Sequence, residues 1–70
     1  MRNDQYHIIS GVSEDRFDRA ETFEEALRIA RSVIEREGRV EEPVLIEYHG
    51  MVIRQLTLMP DGQVAEEATA

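Results

Sequence analysis

The sequence predicts an α+β fold: a two-layer domain in which one amphipathic helix, about 22–37, packs on one face of a three- to five-stranded, mainly antiparallel sheet. Two observations carry that prediction. Apolar residues recur at helical spacing in a single stretch, Phe23, Ala26, Leu27, Ala30, Val33 and Ile34, which places them on one stripe of a helix. On either side of that stretch lie short runs rich in Ile, Val, Tyr and Leu, separated by Gly- and Pro-containing turns, the pattern of strands and hairpins.

Taken in order, Met1 to Asp4 is polar and is expected to be a mobile end. Gln5 to Ser10, QYHIIS, reads as an interior strand because alternation puts an Ile on each face, Ile8 with Tyr6 and Ile9 with His7. Ser10-Gly11 breaks the run. Val12 to Glu21, VSEDRFDRAE, admits a short helix capped by Ser13 or an extended return strand over Asp15 to Ala20. The extended reading is preferred, since a helix running into Glu21-Thr22 would leave the next helix start without purpose. Either way Phe17 is expected in the core.

That helix start is well marked. Thr22 followed three residues later by Glu25 is a capping box, which satisfies backbone N–H groups of the first turn that have no partner within the helix. Glu24, Arg28, Arg31, Ser32 and Glu35 fall on the polar side, with Glu24 and Arg28 spaced for an i, i+4 ion pair. Arg36 suits the negative end of the helix dipole, and Gly38 supplies the left-handed residue that closes a helix.

Pro43 then opens a strand, Val44 to His49, with Val44, Ile46 and Tyr48 on one face and Leu45, Glu47 and His49 on the other. His49-Gly50 is a two-residue hairpin turn into Met51 to Met59. That turn pairs Tyr48 with Met51 and Ile46 with Ile53. Leu56 and Leu58 have the opposite parity from Ile53, so either a bulge shifts the register or both faces carry apolar side chains. Pro60-Asp61-Gly62 marks a second turn, leading into a closing strand over Gln63 to Glu66 and a mobile end at 67–70. The whole chain, 1–70, is one domain.

Function is bounded more by exclusion than by motif. Eight basic against fifteen acidic residues give a net charge of −7, which repels phosphate backbones, so direct nucleic-acid binding is not expected. Every basic residue is Arg, the choice suited to ion pairing and also to a GC-rich genome. With no cysteine there is no disulfide framework or thiolate site. No apolar run reaches the length of a membrane span. A cytoplasmic protein of bacterial type, with no cofactor and no membrane partner, is the expectation. Ser10, Ser13 and Ser32 stand in no nucleophile motif, and Gly11 and Gly62 in no phosphate-cradling one.

Three readings of a site remain. His7, Glu47 and His49 supply two imidazoles and a carboxylate, ligand types suited to a metal or to acid/base catalysis; this is the weakest candidate. The acidic residues of the helix and its loops, Glu21, Glu24, Glu25, Glu35, Glu37, Glu41 and Glu42, are those of an inhibitor or nucleic-acid mimic that binds a basic protein, although Arg28, Arg31, Arg36 and Arg39 interrupt them. One helix covers only one sheet face, and with regular register Leu45, Val52, Leu56 and Leu58 supply the other. An uncovered apolar face marks a partner surface, most often a second copy. A noncatalytic interaction or accessory protein that forms a homodimer is therefore the leading expectation.

Overall fold

The computed structural model describes residues 5–10, 16–37, 39–40 and 42–69, the side chains of Arg16, Phe17 and Glu37 excepted. Its elements are β1 (Tyr6–Ser10), β2 (Arg16–Ala20), α1 (Phe23–Glu37), β3 (Val44–Tyr48), β4 (Met51–Leu58) and β5 (Val64–Ala68). The strands form one sheet of order β2-β1-β3-β4-β5, and each neighbouring pair is antiparallel. Helix α1 joins edge strand β2 to β3, crossing above β1 on the way. The architecture is the expected α+β one, with the helix on one face of an open five-stranded sheet.

The segment that was ambiguous in sequence supplies β2, in the extended form. Phe17 belongs to β2, but its side chain lies outside the described residues, as do Met1–Asp4, Gly11 and Gly38, the residue expected to close the helix. The N-terminal cap is present: the Glu25 N–H donates to the Thr22 hydroxyl oxygen over 3.1 Å, and the Ala26 N–H donates to the Thr22 carbonyl over 3.0 Å. The Glu25 carboxylate turns to Arg28 at 3.6 Å, so the exposed ion pair is i, i+3 from Glu25 and not the expected i, i+4 pair from Glu24. Both partners are largely solvated, and such a pair contributes little stability.

The core lies between α1 and the sheet. Ala26, Ala30, Val33 and Ile34 of the helix pack on Ile8, Ala20, Val44, Ile46 and Leu56, all buried, with Tyr6, Phe23, Leu27, Ile29, Ile53, Leu58 and Val64 around them. Small alanines at the centre of the helix stripe let the helix axis approach the sheet closely.

The register of β3 and β4 corrects the expected partner surface. The turn pairs Tyr48 with Met51, as its length requires, but Ile46 then lies opposite Arg54, because the register slips between Ile46 and Glu47. Ile53 is the extra residue of a bulge. From there on Arg54, Leu56 and Leu58 share the face of Ile46 and Val44, beneath the helix. Leu56 is 0% exposed and Leu58 packs against the core, so neither belongs to the uncovered face. Of the four residues expected there, Leu45 and Val52 remain.

The second hairpin closes as its turn residues dictate. The Gly62 N–H donates to the Met59 carbonyl (2.9 Å), the Met59 N–H to the Gln63 carbonyl (2.8 Å), and the Gln63 N–H to the Asp61 carboxylate (3.0 Å). Strand β5 begins at Val64 and runs on to Ala68, past the Glu66 at which a closing strand was expected to end. Thr69 ties the end of the strand back to β4, its hydroxyl donating to the Val52 carbonyl over 2.6 Å and its N–H to the Ile53 carbonyl over 3.2 Å.

Candidate functional site

Residues paired directly across a sheet share a face, so the register reads out the uncovered side row by row. One row is Arg19, His7, Glu47 and Val52; the next is Arg16, Ile9, Leu45, Gln55 and Glu67 by backbone register; beyond it Thr57 pairs with Ala65. Ile9, Leu45 and Val52 sit at adjoining positions on three central strands. Ile9 is 9% exposed yet lies outside the core cluster beneath the helix; Leu45, Val52, Gln55, Thr57 and Ala65 are half-buried. The middle of this face is therefore largely apolar or uncharged, with Arg19 and Glu67 on the edge strands and Glu47 on the central strand, between His7 and Val52.

The opposite side of the molecule carries the denser charge. Glu24, Glu25, Arg28, Arg31, Glu35 and Arg36 are exposed along α1. Arg31 reaches from the helix to Glu66 on β5 at 2.8 Å, and Arg54 of β4 approaches the same carboxylate at 3.8 Å. A wide, shallow depression of about 460 Å³ runs along this helix flank, lined by Glu24, Leu27, Arg28, Arg31, Ser32 and Glu35. Positive and negative groups alternate around it, so the arginines break up the acidic array on the helix.

The His7, Glu47 and His49 trio is not assembled. His7 and Glu47 are direct partners across β1 and β3, but His49 lies past the end of β3, in the turn, with a positive φ of 53°. Its ring meets Tyr48 edge to face at 4.1 Å. Among the described residues no group of three or more His, Cys, Asp or Glu side chains is placed to hold a metal ion.

One constellation escaped sequence reasoning. Tyr6 and Tyr48 are direct partners on the helix side of the sheet, and their rings stack 4.2 Å apart at 18°. Phe23, the first residue of α1, tilts against Tyr6 at 6.0 Å, and the Arg54 guanidinium lies 4.9 Å over the Phe23 ring. With His49 the rings form a continuous ladder, Phe23, Tyr6, Tyr48, His49, beside Met51, which is 60% exposed. Three of the four Tyr and Phe residues of the chain thus gather at one end of the sheet. The parity of Tyr6 with Ile8 and of Tyr48 with Ile46 was legible; the pairing of β1 with β3, which brings the rings together, was not.

Among the described residues no helix is long and apolar enough to cross a membrane. No protein-family model matches the chain, and comparison with curated proteins and with solved structures finds no significant similarity to any of them.

Proposed function

We propose that this protein is a small noncatalytic interaction domain that self-associates through the sheet face not covered by α1. The observation that carries this reading is the pair of rows on that face: Ile9, Leu45 and Val52 adjoin and uncharged Gln55, Thr57 and Ala65 continue the patch, with Glu47 of the central strand beside Val52 the formal charge that enters it. Interface cores have this composition, apolar at the centre and depleted of charge, and one surface used by both copies needs only a two-fold axis.

Two features favour the face over the sheet edges. The outer strand β5 carries Glu66 and Glu67, one on each face, and β2 carries Asp18 and Arg19 in the same way. Charged side chains on edge strands oppose edge-to-edge pairing. The reading as an acidic mimic is less favoured, because Arg28 and Arg31 sit among the helix glutamates and Glu25 and Glu66 are already paired with them.

Sedimentation equilibrium tests the proposal. At high micromolar concentration the protein is expected to sediment at twice its chain mass of 8.1 kDa. Leu45→Glu is expected to return it to the monomer with its far-UV circular dichroism unchanged, while Arg28→Gln, the same change in net charge on the helix, leaves the dimer intact. A wild-type monomer at that concentration would contradict the proposal.

A further inference from the structure

We infer that self-association through the uncovered sheet face is coupled to proton uptake, with the cross-strand pair of His7 and Glu47 as the coupling group. The inference rests on the self-association reading and adds what regulates it.

Glu47 is the formal charge on the central strand of this face, directly opposite His7 on β1 and Val52 on β4. Directly paired residues on one face have Cβ atoms about 5 Å apart, so imidazole and carboxylate stand within reach of each other. Both residues are half-buried in the single chain. A second copy laid over Leu45 and Val52 removes the remaining water beside them. A carboxylate closed off from water is costly unless it is neutralised.

The groups around the pair leave a proton as the means of neutralising it. Arg19, opposite His7 on edge strand β2, is exposed. It stands two strands from Glu47, about 10 Å, and stays hydrated at the rim. In the next row Arg16 lies on the same edge by backbone register, Ile9, Leu45 and Gln55 are uncharged, and Glu67 is on the far edge strand. His49 is in the turn, against Tyr48, and Asp18 pairs with Ile8 on the helix side.

In water at pH 8 an imidazole is neutral and a carboxylate ionised, so the pair starts with one negative charge. One added proton gives either an imidazolium beside a carboxylate or an imidazole beside a carboxylic acid. Neither has a net charge, and each is buried at lower cost than a lone carboxylate. Whichever atom holds the proton, association is accompanied by proton uptake and tightens as the pH falls. Arg19, of like sign to an imidazolium, reduces the effect without reversing it, because it is solvated.

Sedimentation equilibrium of the full chain at pH 8 and pH 6, at fixed ionic strength, tests the inference. The dissociation constant is expected to be about tenfold smaller at pH 6, across a window in which imidazoles titrate and ordinary carboxylates do not. His7→Gln is expected to dimerise with a constant that no longer depends on pH in this window, whereas His49→Gln keeps the wild-type dependence. Glu47→Gln is expected to associate at pH 8 about as tightly as the wild type does at pH 6. Dilution calorimetry at pH 7, in two buffers of different ionisation enthalpy, needs no variant; it is expected to show release of up to about one proton per chain on dissociation. A dimer with the same constant at both pH values, or a pH dependence that survives His7→Gln or is lost with His49→Gln instead, would overturn the inference and leave the self-association reading standing. A monomer at both pH values would overturn the two together.

Discussion

Leu56 and Leu45 are both leucines in neighbouring strands, yet the bulge at Ile53 gives them opposite roles. Leu56 is fully buried beneath α1 and Leu45 is half-buried on the uncovered face. Leu56→Ala leaves a cavity in packed surroundings and is expected to cost about 2–5 kcal/mol. Leu45→Ala removes contacts from a surface open to water in the isolated chain. Its expected cost is about 1 kcal/mol or less, as read from urea denaturation at concentrations low enough to keep the chain monomeric. Equal costs would mean that the register is wrong. Gly50, at a φ of +78°, is a third residue whose role is local. Nothing lies near enough to clash with a Cβ there, so the cost of Gly50→Ala, about 1 kcal/mol, comes from backbone conformation alone. The parity break between Ile53 and Leu56 was visible in the sequence and announced a bulge. Its position was not visible, because either Ile53 or a neighbour satisfies the alternation until the cross-strand partners are known.

At the scale of elements, the helix was the most legible part, because its start is set by local chemistry. The Thr22 cap is in place, and Thr22→Ala is expected to lower stability by about 1 kcal/mol, seen as a fall in the midpoint of thermal unfolding. The Glu25–Arg28 pair shows the limit of such reading: spacing allows Glu24 or Glu25 to meet Arg28, and rotamers decide. Strand order was less legible still, since β1 lies between β2 and β3 only because the helix crosses above it, a long-range arrangement that no local pattern encodes. Strand β5 differs from the rest in what holds it. The helix packs on β1 to β4, while among the described residues its link to β5 is the Arg31–Glu66 pair, with Val64 alone of that strand reaching the core cluster. Amide hydrogens of β1 and β3 are therefore expected to exchange slowest and those of β5 markedly faster. Arg31→Ala should accelerate β5 further at low salt, with little effect at high salt, because a partly solvated ion pair is screened. Uniform protection across the sheet would contradict this division.

The described residues have two unlike sides: a charged, helix-covered one and a sheet face, not covered by the helix, with a largely apolar centre. The sequence permitted this asymmetry to be foreseen, since one helix cannot cover both faces of a sheet, but it misassigned Leu56 and Leu58 for want of the register. Because each copy carries −7, bringing two together is opposed by their net charge. Raising ionic strength from about 0.02 M to 0.3 M shortens the screening length severalfold and is expected to strengthen the dimer, as a shift of the sedimentation isotherm to lower protein concentration. An association held by charge complementarity would respond in the reverse direction. The most direct measurement of the central claim is paramagnetic relaxation by a soluble, neutral gadolinium chelate, recorded over a range of protein concentrations. At low concentration the signals of Leu45, Val52, Thr57 and Ala65 are expected to be attenuated, and at high concentration protected, while Arg28 and Glu35 on the helix remain attenuated throughout. Attenuation of Leu45 and Val52 that does not change with concentration, or protection appearing on the helix in their place, would contradict the account.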